Sequence, residues 1–362
     1  MPFRMPARTP RRPRTALAVG LGGALAWAAC SGSPAAPPST PPASTPSTGA
    51  GGTPGTGAGG TPAGTPAGLP DASAAAPPLA GSPGCPLFPA DNPWNQDISG
   101  APLDPDSDRY LAAMNAATTK LHPDFGSNPA YGIPWFTVPA QPPSPWSPMR
   151  FKWASESDPG PYPFPANAPV EGGPGASGDR HVIAVDRAPC KLYEGYACRF
   201  EGPTSTWACD SGAVFDLASN AERPLGWTSA DAAGLPILPG LVRRDEVQRG
   251  EIPHALRFTV KRSQRAFVAP ARHYASDLVE TDLPPLGIRV RLKASFDLGP
   301  YSGAAKVVLT ALKKYGMFLA DNGSDWYFSG ESNPAWNDDE IEPLKRVPAS
   351  AFEVVKLGEI HR

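Results

Sequence analysis

Short apolar runs bounded by proline or glycine dominate the chain after residue 85, and most of them are rich in β-branched and aromatic side chains. Such runs are typical of β-strands. The pattern predicts strands over residues 134–138, 149–153, 181–186, 191–200, 213–217, 255–260, 265–268 and 288–294. In the last segment three aliphatic residues alternate with basic ones, so we expect one face to enter the core and the other to present Arg289, Arg291 and Lys293.

Few segments have helical periodicity, and the clearest are residues 108–118 and 303–315. Ser302 stands where an N-cap is expected, and Gly316 stands where the second helix should end. Spacings of four and three residues place three apolar side chains on one face of that helix: Val308, Leu312 and Tyr315.

A turn signal follows the second helix. Asn322-Gly323 lies between two apolar segments, residues 317–321 and 325–328, and this arrangement predicts a β-hairpin. Together these elements predict a mainly β fold, an antiparallel β-sandwich or jelly roll with one or two peripheral helices. Nucleotide-binding, α/β-hydrolase and zincin chemistry are disfavoured because the chain lacks a glycine-rich phosphate loop, a Gly-x-Ser-x-Gly elbow and a His-Glu-x-x-His pair.

The first 29 residues resemble an export signal. Five arginines precede an uncharged stretch, residues 16–29, which is too short to span a bilayer and ends in small residues before Cys30. This layout is similar to bacterial lipoprotein signals, although Trp27 replaces the usual small aliphatic residue. We therefore expect cleavage before Cys30 and acylation of its thiol, which would anchor the protein in a membrane at the cell surface or outer membrane. Simple secretion is the alternative.

Residues 30–84 are predicted to form a disordered tether. They consist almost entirely of Pro, Gly, Ser, Thr and Ala, and Asp71 is their only charged residue. Such a segment buries too little apolar surface to offset its chain entropy. Residues 85–362 are then expected to form a single globular β-rich domain, which we predict to be a monomer.

The charge balance argues against nucleic acid as a partner. The chain carries 32 basic and 34 acidic residues. Five of the basic residues, but only one acidic residue, lie before residue 85, so the predicted domain is mildly acidic and has no basic cluster.

Four cysteines remain in the predicted domain, and an even number in an exported protein indicates disulfides. Three pairings are open. We favour Cys198 with Cys209, which closes a short loop, and Cys85 with Cys190, which ties the start of the domain to its sheet. A four-cysteine zinc site would lack any Cys-x-x-Cys pair.

Several motifs between residues 91 and 355 are similar to those of an uncharacterised family of secreted and lipoprotein-type proteins from actinobacteria and myxobacteria. They are DNPWN at 91–95, ESDPGPY at 156–162, GDRH at 178–181, GWTSADAAGLP at 226–236, PHALRF at 253–258 and ADNGS at 320–324. The family has no established activity. The resemblance therefore supports one folded domain and transfers no catalytic residue.

Histidines at the predicted strand ends are candidates for chemistry. Asp179 and His181 flank the start of one strand, His254 precedes another, and His273 follows a third. A histidine beside a carboxylate can act as a general base. If the three imidazoles converged with Asp179 or Asp231, they would suit a divalent metal, although no cofactor is required by the sequence.

Carboxylates are a second set of candidates for catalysis, because two acidic groups across a concave sheet can cleave a glycosidic bond. Glu194 and Asp216 lie in predicted strands, and loop alternatives are Glu171, Asp179 and Asp231. The catalytic candidates are therefore Asp179, His181, Asp231, His254 and Glu194.

Tryptophans beside polar residues favour a carbohydrate ligand, since flat indole faces stack on sugar rings. We expect ligand contacts from Trp227, Thr228 and His273. The sequence thus predicts a cell-surface lipoprotein that binds, and is able to hydrolyse, an extracellular polysaccharide. A non-catalytic envelope or adhesion module is one alternative. Another is a polysaccharide lyase with a His or Tyr base beside Arg289 or Arg291.

Overall fold

Strands form most of the regular structure in residues 85–138 and 146–362, the part of the chain that the computed structural model describes. The strands are β1 (His122–Asp124), β2 (Phe136–Val138), β3 (Met149–Phe151), β4 (Val182–Asp186), β5 (Lys191–Tyr196), β6 (Arg199–Glu201), β7 (Thr206–Cys209), β8 (Ser211–Asp216), β9 (Leu256–Val260), β10 (Phe267–Val268), β11 (Arg289–Leu292), β12 (Met317–Asn322), β13 (Tyr327–Ser329), β14 (Phe352–Val354) and β15 (Ile360–His361). The predicted signal, lipid-acceptor Cys30 and tether lie outside the described residues.

Helices are few and short. The α-helices are α1 (Ser107–Ala113), α2 (Arg244–Arg249), α3 (Gly303–Lys314) and α4 (Asp338–Ile341). Turns of 3₁₀-helix occupy Pro93–Asn95, Ala154–Glu156, Gly202–Thr204, Leu238–Gly240, Glu342–Arg346 and Ala349–Ala351. Within the described residues, no helix is long and apolar enough to cross a membrane.

The largest sheet has six strands in the order β1-β13-β9-β12-β11-β14. It is mixed, because β1 with β13 and β9 with β12 run parallel while the other neighbours are antiparallel. The prediction of an antiparallel architecture is therefore wrong, although the mainly β content is confirmed. Parallel neighbours need long connections, and such connections leave no short-range signal in the sequence.

The predicted hairpin at Asn322-Gly323 is also wrong. Strands β12 and β13 do not pair with each other, because β9 lies between them and pairs with both. Gly323 packs against β9 so closely that a Cβ there would lie 2.9 Å from Thr259 Oγ1. This glycine therefore serves a close approach to a third strand.

Three smaller sheets complete the fold: β2-β4-β5-β8, β3-β7-β6 and β10-β15. Each of the first two contains one parallel pair, β2 with β4 and β3 with β7. The single strand predicted over residues 191–200 is two strands in different sheets. The chain breaks at Ala197, whose φ of 53° cannot continue a strand.

Helix α3 packs on the six-stranded sheet as its periodicity predicts, with Val308, Leu312 and Tyr315 all buried. The predicted cationic face of β11 is not presented to solvent. Arg289 is buried and donates to the carbonyls of Tyr315, Pro93 and Gln96. Arg291 is also buried and bonds to Glu353 and to the Ile98 carbonyl. The guanidinium groups of Arg289 and Arg291 therefore donate to backbone carbonyls inside the protein. They are not available to neutralise a substrate, as the lyase alternative requires.

Both predicted disulfides are present, Cys85–Cys190 and Cys198–Cys209. The first bridges 105 residues and joins the start of the described chain to β5, while the second spans 11 residues beside β5 and β7. Structural disulfides persist in oxidising compartments, so both bonds are consistent with an extracellular protein.

Candidate functional site

One face of the six-stranded sheet is polar where β1, β13, β9 and β12 lie side by side. Buried apolar residues point to its other face, among them Pro123, Phe328 and Phe258. Strand register aligns the polar side chains in two rows. The first row is His122, Tyr327, Thr259 and Asp321, and the second is Asp124, Ser329 and Arg257.

Arg257 is the charged centre of this face. Its Nε and Nη2 donate to the two carboxylate oxygens of Asp231 at 2.9 and 2.8 Å, and its Nη1 donates to Ser329 Oγ. The Arg257 side chain is 6% exposed and the Asp231 side chain is fully buried. Burial alone would lower the pKa of Arg257, but the Asp231 carboxylate outweighs it and raises that pKa. The Arg257 guanidinium is therefore charged and is held in place by two hydrogen bonds to Asp231.

Asp321 lies at the end of β12, partly exposed beside the buried pair. Burial raises its pKa, the negative charge of Asp231 raises it further, and the result is about 7 despite the opposing charge of Arg257. Its Oδ1 accepts from the Asn322 backbone N–H at 2.6 Å. A carboxyl group with this pKa can hold a proton near neutral pH and can also release it.

His181 and Glu171 approach this face from the side of the four-stranded sheet β2-β4-β5-β8. His181 immediately precedes β4, and its Nδ1 lies 2.6 Å from Glu171 Oε2 while its Nε2 lies 3.1 Å from the Ala230 carbonyl oxygen. Burial would lower the pKa of His181, but the Glu171 carboxylate raises it to about 9. Burial would raise the pKa of Glu171, but the charge and hydrogen bonds of His181 lower it. The pair thus consists of an imidazolium and an ionised carboxylate.

An aromatic pair lies at the rim of this region. The Tyr196 ring lies 5.7 Å from the His181 ring and is stacked at 6.2 Å and 9° on Trp153, which is 41% exposed. Burial raises the pKa of Tyr196 to about 12, and the charges of Asp179 and Asp321 raise it too. The phenol is therefore neutral and offers one hydroxyl.

Electrostatic interactions link these groups to one another, and we take them together as the candidate site. Burial raises the pKa of Asp124. The charges of Glu171 and Asp179 also raise this pKa, and the charge of Arg257 lowers it. The charge of Asp179 also raises the pKa of Asp321 and of His181. We call this group the Asp321 site, and its members are Asp124, Glu171, Asp179, His181, Tyr196, Arg257 and Asp321.

Three of the predicted catalytic residues therefore come together: Asp179 and His181 within the site, and Asp231 directly behind Arg257. His254 lies elsewhere. Its Nε2 contacts Glu246 Oε2 at 3.0 Å and its Nδ1 contacts the Ala255 carbonyl oxygen at 2.8 Å, with both side chains nearly completely buried. Arg243 pairs with the same Glu246. This buried group joins α2 to the start of β9.

Glu194 is completely buried and its carboxylate accepts the backbone N–H groups of Ile237 and Leu238 at 2.9–3.0 Å. Burial raises its pKa to about 7, although these two hydrogen bonds oppose the shift. A group with no exposed surface cannot touch an external polymer. Glu194 is therefore placed to hold the loop after residue 236 against β5.

The predicted ligand-binding residues form a separate group around Glu156. Thr228 is buried, and its N–H lies 3.5 Å from Glu156 Oε2. His273 Nε2 lies 3.9 Å from the same oxygen, and its Nδ1 contacts the Ala232 carbonyl at 2.9 Å. Trp227 is partly buried, with the Arg223 guanidinium 5.7 Å from its ring.

The three histidines thus have different partners and do not converge. Among residues 85–138 and 146–362, no group of three or more His, Cys, Asp or Glu side chains is placed to hold a metal ion. The tryptophans lie in two kinds of position, in the buried core and at the surface. Trp94, Trp207, Trp326 and Trp336 are buried in the core, whereas Trp146 and Trp153 are exposed.

Sequence reasoning missed Asp124, Tyr196, Arg257 and Asp321. The sequence did contain one signal for this site: Arg257 is a charged residue within the apolar run of β9. A charged side chain at such a buried position needs a partner of opposite charge. Asp321 was placed at the end of a predicted hairpin strand, because the sequence does not show that β9 separates β12 from β13.

No protein-family model matches the chain, and no curated protein or solved structure is significantly similar to it. The chemistry of the Asp321 site is therefore the basis on which function is proposed.

Proposed function

We propose that the protein binds an extracellular polysaccharide at the Asp321 site and hydrolyses its glycosidic bonds. One arrangement carries the proposal: Glu171 is paired with His181 at 2.6 Å, and strand register places Asp321 on the sheet face of Arg257. The pKa values of the two carboxyl groups are moved in opposite directions, Asp321 upward and Glu171 downward. Such opposed pairs supply the acid and the base of glycoside hydrolysis.

In this mechanism protonated Asp321 gives its proton to the glycosidic oxygen as the bond from that oxygen to the anomeric carbon breaks. Glu171 accepts a proton from water, and the water oxygen bonds to the anomeric carbon. Products are one reducing end and one free hydroxyl. His181 holds Glu171 ionised in the resting enzyme, while Asp231 fixes the position of the Arg257 guanidinium at the floor of the site.

Trp153 and Tyr196 supply the binding surface. Their rings are nearly parallel and Trp153 is exposed, as stacking on a sugar ring requires. The two disulfides fit the proposed location outside the cell, where the acylated Cys30 and the tether would hold the domain near its polymer.

The decisive experiment is a digestion screen with the full chain on plant, fungal and bacterial polysaccharides. New reducing ends are expected from the wild-type protein and should be absent with Asp321→Asn. Products that absorb in the ultraviolet would indicate the lyase alternative instead. Binding without any cleavage by the wild-type protein would favour the adhesion-module alternative, and neither binding nor cleavage on any polymer would reject the carbohydrate proposal.

A further inference from the structure

A cavity opens on the same sheet face as the Asp321 site. It has a volume of about 410 Å³ and lies where β1 and β13 begin, with His122 and Tyr327 in its lining. His122 and Asp124 point to one side of β1, and Tyr327 and Ser329 point to the same side of β13. Two residues along a strand span only about 7 Å, so the cavity adjoins the Asp321 site.

The cavity is basic. Three lysines line it, Lys120, Lys261 and Lys345. Asp325 contacts Lys261 at 3.7 Å, but it is 8% exposed and already accepts from Asn115 Nδ2 and the Lys261 N–H at 2.8 Å. Among the described residues, Lys120 has no salt-bridge partner.

Lys345 is the remaining cation, and it pairs with exposed Glu342 at 2.6 Å. Such a surface pair contributes little free energy and can rearrange toward a ligand. The lining of the cavity therefore contains three lysines and one carboxylate, Asp325.

A flat aromatic surface accompanies these cations. The rings of His122 and Tyr327 are stacked at 3.9 Å and 13°, and both side chains are partly exposed. Burial lowers the pKa of His122, and the charge of Lys345 lowers it further, so the imidazole is neutral. Ser324 also lines the cavity and adds a hydroxyl. Neutral rings beside ammonium groups suit a sugar ring that carries an anionic substituent.

We infer that this cavity is a subsite for an anionic sugar, one that carries a carboxylate, sulfate or phosphate group, next to the bond that is cleaved. This rests on the proposed function and narrows it, because the substrate becomes an acidic polysaccharide. Lys120 and Lys345 hold the anionic group, while the His122–Tyr327 stack contacts the ring. The acidic groups of the Asp321 site then lie beside a sugar whose own charge is neutralised by lysine.

The test measures binding with full-length protein carrying Asp321→Asn, so that cleavage does not consume the ligand. Polygalacturonate is compared with its neutral methyl ester, and dextran sulfate with dextran. A glycerol phosphate polymer provides the phosphate arm. The Lys120→Gln and Lys345→Gln double variant should bind the preferred acidic polymer about tenfold more weakly and the neutral polymer equally well.

Lys356→Gln is the matched control, because Lys356 is exposed after β14 at the opposite edge of the sheet. An equal loss of affinity in this control, or no loss in the double variant, would overturn the subsite. Acidic polymers that bind through the lysines but are never cut by the protein with Asp321 intact would reject hydrolysis and leave the subsite standing. Cleavage of acidic polymers at an unchanged rate by the lysine double variant with Asp321 intact would reject the subsite and leave hydrolysis standing.

Discussion

Asp231 and Arg257 form a two-point ion pair in which both carboxylate oxygens of Asp231 receive an N–H of the same guanidinium, at 2.8 and 2.9 Å. Asp231 lies in the loop after β8, and Arg257 lies in the middle of the six-stranded sheet. The pair therefore joins the loop next to His181 to the strand that carries the polar face. It also makes Asp231 a residue that positions the site from behind rather than one that a polymer can reach.

Removal of one member of this pair should destabilise the protein strongly. Arg257→Met leaves the Asp231 carboxylate buried without its partner, and such losses cost about 3–5 kcal/mol of unfolding free energy. The double variant Arg257→Met with Asp231→Leu should recover part of this loss, because no charge then remains buried. Urea unfolding of the four proteins measures the effect, and purely additive losses would contradict it.

Asp321→Asn should remove cleavage by about 10²- to 10⁴-fold, since asparagine cannot donate the proton that general acid catalysis needs. Polymer binding should change little, because the amide has nearly the same shape. The control is Asp277→Asn, an exposed aspartate distant in sequence from the site. The rates of reducing-end release by the two variants test whether Asp321 is the general acid. Equal activity in both variants would remove Asp321 from the mechanism.

Activity should fall as the pH rises through about 7, because Asp321, with a pKa of about 7, loses its proton there. On the acid side, activity should persist until Glu171 is protonated, and the pKa of that group is lowered by His181. A profile of kcat/KM against pH tests both limbs. An alkaline limb that stays flat from neutral pH upward is incompatible with Asp321 as the acid.

The same carboxyl group should affect stability. Its pKa is higher in the folded state than its ordinary value of 3.8, so the folded protein binds more protons between that value and about 7. Unfolding free energy is therefore lost as the pH rises through this window. Asp321→Asn removes the loss, so its melting temperature should exceed that of the wild type by a few degrees at pH 8 and by less at pH 4. The contribution of Glu194, whose pKa is also raised, is common to both proteins and cancels.

Trp153→Ala should weaken polymer binding about 3- to 10-fold through the loss of its stacking surface. Stability should change little, because the side chain is 41% exposed. Trp146→Ala is a close control, since Trp146 is 39% exposed and packs edge-on against Tyr193 instead of Tyr196. Affinity electrophoresis compares the two, and the same retardation in both would show that the Trp153–Tyr196 stack does not bind the polymer.

Local patterns predicted the strands and α3 well, because burial of alternating or helical apolar positions is a property of neighbouring residues. Residues 255–260 and 303–315 were assigned nearly to their observed ends. The disulfide pairs were also predicted, since loop length and strand position limit the choice. Pairing between strands was not predictable in the same way, as the insertion of β9 between β12 and β13 demonstrates.

The candidate site was predicted in part for a related reason. Asp179 and His181 stand together in the sequence and remain together in the fold. Asp124 and Asp321 are nearly two hundred residues apart, and only the register of four strands brings them to one face. The predicted exposure of Arg289 and Arg291 was wrong, because distant backbone carbonyls, which have no sequence signal, accept their hydrogen bonds and allow both side chains to be buried.

The central position of β9 between β13 and β12 determines when the Asp321 site can form during synthesis and folding. Its partners β12 and β13 are synthesised long after it, and β1, which pairs with β13, precedes both. Contacts between such distant segments form slowly and late. A nascent or truncated chain that ends before β12 contains Asp179 and His181 but lacks Asp321 and the strands that complete the polar sheet face. In the proposed mechanism, the order of the strands therefore keeps an unfinished chain inactive without any inhibitor.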